Sequence, residues 1–397
     1  MQEHVDRERL VALTSSLVAA ATANPPGNES AVAPVLREAL APWSPTWTEV
    51  EPLPGRLSLI ARLPSPSSAG APAKLPTLIV NGHTDVVPVV AERWSRGPFE
   101  PAVVDGRLYG RGSADMKGGV AAAICALAAL DAAGWERRCE IVFQFVADEE
   151  RGGALGTRVL MESGLIIGDA CLVPEPTGLS VSVAERGRLE GEVVLRGQPG
   201  HGSRPREGVS AIEHAARVVL ALHAADFGDE PHLLLGQPSA NVGTIQGGSA
   251  PNVIAEEARI GFDRRLLPGT SLDEAVAALH DRIDAAGVDG IDYQVTVGDF
   301  GEGSEMAADH PFAELVKRCV RDATGATPAT IGMTFTTDAR FVRNQAGLPA
   351  VVCGPGELAQ AHGIDEWVDV GQLVAATAAF AELYRAFGPG WDETPRT

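Results

Sequence analysis

A histidine and an aspartate stand two residues apart directly after an apolar segment of the chain. Leu78-Ile79-Val80 is typical of a buried strand, and Asn81-Gly82-His83-Thr84-Asp85 follows it. Since side chains at i and i+2 of a strand point to the same side, His83 and Asp85 share one face near the strand's carboxyl end. A carboxylate beside an imidazole fixes its tautomer and raises its basicity, as a metal-ligating histidine requires. A His-x-Asp pair alone is more often a surface hydrogen-bonded pair than a metal site, so the other residues must decide.

Further acidic and histidine residues follow other predicted strands or lie in glycine-rich turns: Asp115, Glu149, Glu150, Glu175 and His362. Parallel strands bring their carboxyl ends to one sheet edge, so residues distant in sequence can meet there. Nitrogen and carboxylate donors without sulfur suit Zn²⁺, Co²⁺ or Mn²⁺ in a hydrolytic site with open positions. A structural alternative exists for each residue, such as a helix cap for Asp115. Their common placement favours a metal site.

The adjacent residues Glu149 and Glu150 can have different roles, because neighbouring side chains at a strand end point in different directions. One can bind metal while the other transfers protons. A base beside a metal-activated water is the central requirement of metal-assisted amide hydrolysis. A solvated acidic turn is the alternative for this pair taken alone.

The elements that must position these residues alternate between strands and helices. The apolar segments 140–146 and 170–173 predict buried strands, and the small-residue segment 120–133 predicts a helix that packs closely on a sheet. This alternation indicates an α/β fold with a mostly parallel sheet and helices on both faces. The stretch 64–76, rich in Pro, Ser and Ala, predicts a surface loop.

The pattern changes after Thr177 to a β-β-α-β-β-α order, which predicts a small α+β, ferredoxin-like domain. Its predicted strands and helices are 179–183, 189–195, 210–223, 239–246, 256–265 and 271–286. We therefore expect residues 1–180 and 297–397 to form a catalytic metal-binding domain, into which residues 181–296 are inserted as a second domain.

The composition restricts the partners and the cellular location. The 397-residue chain carries 32 basic and 52 acidic residues, and its net charge of -20 argues against nucleic acid or an anionic membrane as partner. Its 5 cysteines are scattered without a CxxC pair, which argues against a disulfide framework or a cysteine zinc site. The polar, acidic first residues do not resemble a signal peptide, and no apolar stretch suits a membrane span. We expect a cytoplasmic protein.

Six segments resemble the di-zinc aminoacylase and deacylase family that includes acetylornithine deacetylase, succinyl-diaminopimelate desuccinylase and glutamate carboxypeptidase. They follow the family order over almost the whole chain: 81–88, 110–119, 148–150, 174–177, 200–205 and 354–362. The resemblance implies a metal-dependent amide hydrolase that removes an acyl group, acetyl or succinyl, from a small N-acyl amino acid. A dipeptidase or carboxypeptidase with the same two-metal site is the alternative. A non-catalytic protein of the same fold is a third, against which the presence of Glu149 counts.

The resemblance also assigns ligands to two divalent metal ions, Zn²⁺ foremost, with Co²⁺ or Mn²⁺ as alternatives. His83, Asp115 and Glu175 would hold one ion. Asp115, Glu150 and His362 would hold the other, so that Asp115 bridges the two.

Catalytic roles follow from the same resemblance. Glu149 would be the general base, which takes a proton from a water that bridges the metals and returns it to the leaving amine. Asp85 would orient His83. A cis peptide bond between Asp115 and Met116 is also implied.

The inserted domain carries further implied site residues and would serve as a lid and as the contact of a homodimer. His201 resembles a histidine that reaches the partner subunit's active site and polarises the scissile carbonyl, and Asn252 resembles a second residue of that group. Arg265 matches an arginine that binds the substrate carboxylate. Arg340 is a candidate second anion contact, with a structural ion pair to Asp338 as the alternative.

Two segments resemble different members of the family, so the acyl group stays open. Residues 354–362 resemble acetylornithine deacetylases. Residues 336–341 resemble the desuccinylases, but Ala339 stands where glycine is usual, and its methyl group would narrow a pocket.

Overall fold

A computed structural model describes residues 1–64, 75–288 and 292–392 of the chain. The chain divides into two compact units. Unit 1 comprises Met1–Val183, Met306–Ile331 and Thr337–Thr397, and unit 2 comprises Ala184–Glu305 and Gly332–Thr336. Most of the loop predicted at 64–76 lies outside the described residues.

The helices and strands are numbered in chain order. The helices are α1 Arg7–Ala19, α2 Ala33–Leu40, α3 Gly118–Ala132, α4 Thr157–Glu162, α5 Ala211–Leu222, α6 Leu272–Ala285, α7 Pro311–Thr324 and α8 Val370–Ala386. The strands are β1 Thr46–Val50, β2 Ser58–Arg62, β3 Thr77–His83, β4 Ala102–Val104, β5 Arg107–Tyr109, β6 Glu140–Val146, β7 Ala170–Val173, β8 Val181–Glu185, β9 Gly187–Arg196, β10 Ser239–Gly247, β11 Glu257–Leu266, β12 Asp292–Gly301, β13 Ser304–Glu305, β14 Thr330–Met333, β15 Ala350–Val352 and β16 Trp367–Asp369. Short 3₁₀ or π turns cover Gln2–His4, Glu29–Val32, Ala41–Trp43, Ala91–Arg93, Ser113–Lys117, Glu149–Arg151 and Phe341–Gln345.

Unit 1 is built on a large sheet with the strand order β1-β2-β6-β3-β7-β15-β8. Its four central strands, β6, β3, β7 and β15, are parallel, and the pairs β1–β2, β2–β6 and β15–β8 are antiparallel. All seven residues of β3 are buried, as expected for a central strand that is covered on both faces. The predicted α/β fold class is confirmed.

The start of helix α3 packs closely against the segment that follows β7, because the helix begins with two glycines, Gly118 and Gly119. A Cβ atom added at Gly119 would lie 1.9 Å from the Pro174 carbonyl oxygen, so only glycine permits this approach. The segment Ser113–Ala132 is long and apolar enough to span a membrane by length and composition, but 89% of its apolar window is buried inside the protein. Burial identifies α3 as a core helix of unit 1.

Unit 2 contains an antiparallel sheet with the order β10-β11-β9-β12. Burial alternates along β11, so one face of the sheet covers a core that includes Ile260, Phe262, Val218 and Leu279. The elements follow the order β9-α5-β10-β11-α6-β12. This β-α-β-β-α-β order and the strand arrangement are those of a ferredoxin-like fold.

The predicted β-β-α-β-β-α order is therefore wrong at both ends. The first predicted strand is β8, whose residues are all buried and whose Ser182 pairs with Val352 of β15 in the large sheet. The last strand, β12, was not predicted, and only one of its ten residues is buried. It pairs with β9 up to Gly301, so the boundary predicted at 296 falls inside a strand.

Candidate metal centre

Three neighbouring parallel strands end beside the residues that could bind metal. His83 is the last residue of β3, Glu149 and Glu150 follow β6, and Glu175 follows β7. Since β3 lies between β6 and β7 in the sheet, their carboxyl ends lie side by side. The sheet edge thus brings together residues as distant in sequence as His83 and Glu175.

The first group of possible ligands consists of His83, Asp115 and Glu175, with ligand atoms within 4.8 Å of one another. His83 Nε2 lies 3.0 Å from Asp115 Oδ1 and 3.5 Å from Glu175 Oε1. His83 Nδ1 lies 2.9 Å from the Asp85 carbonyl oxygen, which can only accept a hydrogen bond. Because Nδ1 carries the proton in this hydrogen bond, the lone pair of Nε2 is available to bind a cation.

The second group consists of Asp115, Glu150 and His362, again with ligand atoms within 4.8 Å. His362 Nε2 lies 3.0 Å from Glu150 Oε2 and 3.3 Å from Asp115 Oδ2. Asp115 therefore belongs to both groups, with Oδ1 near His83 and Oδ2 near His362. The backbone of His362 has a φ of 60°, and its side chain is 55% exposed at the outer side of the centre.

Asp115 sits in an irregular turn directly before α3. The turn Ser113–Lys117 has non-helical backbone angles at Asp115 and Met116, and the peptide bond between them is cis, which confirms that prediction. All five residues of the turn are buried.

The pKa values reflect several carboxylates held together in a buried position. Burial and the Asp115 carboxylate raise the pKa of Glu175 to about 8. Hydrogen bonds to Asp115 and Glu150 raise the pKa of His362 to about 10. Burial raises the pKa of Asp115, but hydrogen bonds from the His362 and His83 imidazoles in their protonated form outweigh it and lower that pKa. Two imidazoles and three carboxylates fit a pair of divalent cations, whose charge would offset the repulsion between the carboxylates.

Glu149 lies beside both groups without belonging to either. Its Oε2 is 4.0 Å from His83 Nε2. Burial raises the pKa of Glu149 well above its usual value, and the carboxylates of Glu175 and Asp338 raise it further. A buried carboxyl with a raised pKa next to metal ligands is suited to accept a proton near neutral pH.

Asp85 makes different contacts from those predicted. Its backbone carbonyl rather than its carboxylate makes the short contact to His83, and Asp85 Oδ1 is 3.6 Å from Nδ1. The carboxylate instead accepts hydrogen bonds from the backbone amides of Glu149, at 3.2 Å, and Glu150, at 3.3 Å. Asp85 thus holds both the ligand on β3 and the turn after β6.

A buried network that was not predicted supports the same turn. Asn24 donates from Nδ2 to Asp85 Oδ2 at 2.9 Å and to Asp148 Oδ1 at 3.1 Å. Arg56 pairs with Glu29 at 2.7 Å and with Asp148 at 2.8 Å. Asp148 itself has a φ of 67°, directly before Glu149. Only the acidic run 148–150 marked this position in the sequence, because Asn24, Glu29 and Arg56 lie in segments without a recognisable spacing.

His201 and Asn252 lie in adjoining loops of unit 2. The Gly202 amide donates to the Asn252 carbonyl oxygen at 2.8 Å. His201 and Asn252 are both exposed. His201 Nδ1 is 2.8 Å from Ser203 Oγ. The loops follow β9 and precede β11, so they lie at the same end of the unit 2 sheet.

Arg265 lies on β11 of unit 2, on the face of the sheet opposite its core. It donates from Nε and Nη2 to the two carboxylate oxygens of Asp263, each at 2.8 Å. In the strand register it stands opposite Arg188 of β9. A substrate carboxylate at this position would share the guanidinium with Asp263.

Arg340, the predicted second anion contact, is buried in unit 1 and donates hydrogen bonds to backbone carbonyl groups. Its guanidinium donates to the carbonyl oxygens of Gly152, at 2.7 Å, and Thr337, at 3.1 Å. It also lies 4.3 Å from the centre of the Phe341 ring. These contacts fix the segment that follows Glu150, and Ala339 beside it is fully buried.

Comparison with known proteins places this arrangement among amide-cleaving enzymes. The family model described as peptidase family M20/M25/M40 matches residues 79–386. The chain is 32% identical over 326 residues to a succinyl-diaminopimelate desuccinylase of Methylobacterium radiotolerans, covering 79% of this chain and 82% of that protein. It is 30% identical over 357 residues to an acetylornithine deacetylase of Proteus mirabilis, covering 85% of each. The crystal structure of a tripeptidase from Staphylococcus aureus matches with a TM-score of 0.80 at 23% identity, covering 96% of this chain and 99% of that one.

Proposed function

Because the chain belongs to peptidase family M20/M25/M40, we propose that it is a metal-dependent amide hydrolase that removes an acyl group from an N-acyl amino acid. Family membership confirms the predicted resemblance and the predicted hydrolase. The relatives named above are a desuccinylase and a deacetylase, so succinyl and acetyl groups are the first candidates. The predicted cytoplasmic location stays a prediction.

One observation carries this proposal: two groups of nitrogen and carboxylate donors share Asp115, and an unshared carboxylate, Glu149, lies beside them. Structural zinc sites are closed by four protein ligands, whereas each group here offers three and leaves room for water or substrate. Two divalent cations of the kind predicted, Zn²⁺ foremost with Co²⁺ or Mn²⁺ as alternatives, fit such a donor set.

The chemistry divides between the cations and the chain. Two bound cations would polarise the scissile carbonyl and lower the pKa of a water molecule. Glu149 Oε2 then accepts the proton of the attacking water, and the same carboxyl returns it to the leaving amine. The Asp85 carboxylate accepts a hydrogen bond from the backbone amide of Glu149. This bond holds the Glu149 backbone in place, so the base approaches the water from a fixed direction.

A chelation experiment with a substrate panel tests the proposal. We expect removal of metal by EDTA to abolish hydrolysis, and added Zn²⁺ or Co²⁺ to restore it. N-acetyl, N-succinyl and dipeptide compounds that share one amino acid would be compared by the rate of amine release. Full activity after metal removal would contradict the proposal. A preference for dipeptides would favour the peptidase alternative, which the likeness in fold to a tripeptidase also keeps open.

We further propose that unit 2 joins two copies of the chain. The side chains of Ile212, Ala216 and Leu220 recur every fourth residue on the outer face of α5, and Leu220 is 83% exposed. Beside them β10 is an edge strand, and a Cβ at its Gly247 would lie 3.1 Å from Ile212. An unpaired strand edge with an apolar helix stripe suits antiparallel pairing with its own copy about a twofold axis.

The dimer would also explain how His201 acts. His201 follows the end of β9 at Arg196, whereas Arg265 stands opposite Arg188 near the start of β9. The strand between positions 188 and 196 spans about 26 Å at roughly 3.3 Å per residue, which is longer than an N-acyl amino acid. This separation argues against one copy of unit 2 presenting both residues to the same substrate. We propose that His201 and Asn252 serve the site of the partner copy.

Leu220→Glu tests the dimer, since it places a charge on the most exposed residue of the apolar stripe. We expect this variant to be monomeric by multi-angle light scattering and to lose most of its turnover. Leu233→Glu is the matched control, because Leu233 is 93% exposed in unit 2 but lies in the connection between α5 and β10 rather than on either element. A Leu220→Glu variant that stays dimeric would contradict the proposed surface. A fully active monomer would contradict the role of His201 in the partner's site.

A further inference from the structure

A buried ion pair links the two chain segments that supply Asp115 and His362. Arg111 is 4% and Glu366 is 1% exposed, and Arg111 Nη1 lies 2.5 Å from Glu366 Oε2. Neither residue belongs to the two ligand groups. Their contacts to the surrounding backbone indicate what the pair does.

Glu366 holds the turn that carries Asp115. Its Oε1 accepts hydrogen bonds from the backbone amides of Ala114, at 2.9 Å, and Asp115, at 3.1 Å. Because this carboxylate oxygen binds two successive amides, it fixes the direction of the irregular turn before α3. Its other oxygen is held by Arg111.

Arg111 holds the loop that carries His362. Its Nη2 donates to the carbonyl oxygens of Gly363, at 3.1 Å, and His362, at 3.4 Å. This loop lies outside the helices and strands, and its residues 357–359, 362 and 364 are exposed. The guanidinium therefore anchors a segment that has little packing of its own.

We propose that Arg111 and Glu366 form a positioning pair that sets the distance between Asp115 and His362 and thereby the cation affinity of the second group. The first group depends on the pair less, because His83 and Glu175 are placed by the buried strands β3 and β7. Residues that orient metal ligands typically contribute a factor of about 10 to 100 in metal affinity. This inference rests on the proposed function, since it concerns the same metal centre.

Arg111→Lys tests the pair while keeping a positive charge beside Glu366. Lysine has a single ammonium group and cannot span the carboxylate and the two carbonyls as the planar guanidinium does. Co²⁺ would be added stepwise to chelator-treated protein, with calorimetry and visible absorption as readouts. We expect two binding events in the native sequence, and His362→Ala identifies the event of the second group. Arg111→Lys should weaken that event about 10-fold or more and leave the other within threefold.

Controls separate positioning from general destabilisation. Arg264→Lys changes a buried arginine of unit 2 that donates to the Ala275 carbonyl oxygen at 2.8 Å, and it should leave both events unchanged. If Arg111→Lys does not fold, the double variant Arg111→Met/Glu366→Gln removes the pair without leaving a buried charge alone. It should weaken the same event. Equal weakening of both events, or none, would overturn the inference. A native protein that binds no Co²⁺ would instead overturn the proposed metal centre itself.

Discussion

Glu149→Gln is expected to lower turnover at least about 100-fold while both cations stay bound, since general acid–base catalysis contributes about 10²–10⁴-fold. The amide has nearly the shape of the carboxyl group but cannot accept a proton from water. The backbone of residue 149 keeps its hydrogen bond to Asp85, because that bond uses the main-chain amide. Steady-state kinetics and metal analysis of the same sample would measure the two effects together.

The neighbouring residue provides a matched control for this experiment. Glu150 belongs to the second ligand group, with Oε2 at 3.0 Å from His362 Nε2, so Glu150→Gln should lose bound metal as well as activity. Thermal melting gives a second check. Burial and neighbouring carboxylates raise the pKa of Glu149, so its neutral replacement should not lower the melting temperature before metal is added. Glu149→Gln activity within tenfold of the native value would contradict the assignment of the base.

The sequence predicts those parts of the fold and site that follow from chain periodicity and strand order. The apolar segment 140–146 coincides with β6, and the rule that parallel strands end at one edge brings Glu149, Glu150 and Glu175 to His83. Asp115 and His362 do not follow a strand of that edge, and only their motifs singled them out. The two groups of ligands nevertheless contain all five predicted metal ligands.

Contacts between side chains and distant backbone could not be predicted in this way. Asp85 binds the amides of Glu149 and Glu150, and Arg111 binds the His362 loop. Such bonds depend on the path of loops, which hydrophobic periodicity does not encode. The sequence also places β8 in the inserted domain, because a short apolar strand has the same pattern in either sheet.

Asp115→Asn is expected to remove both cations at once, because Asp115 is the one residue common to the two ligand groups. A neutral amide oxygen is a weaker ligand than a carboxylate, and its amino group would face His83 or His362 as a donor. Loss of both cations should lower turnover at least about 1,000-fold, which corresponds to about 4 kcal/mol of transition-state stabilisation. Metal content per chain is the direct measurement.

Two further variants show whether the shared position of Asp115 is the cause. Glu175→Gln removes a ligand of the first group only, so we expect this variant to keep the second cation and to bind about half the native amount of metal. Asp105→Asn is the control for an aspartate replaced elsewhere, in an exposed turn with a φ of 50° that asparagine tolerates, and should keep both cations. An Asp115→Asn protein that still binds one cation tightly would mean that the two groups are held independently.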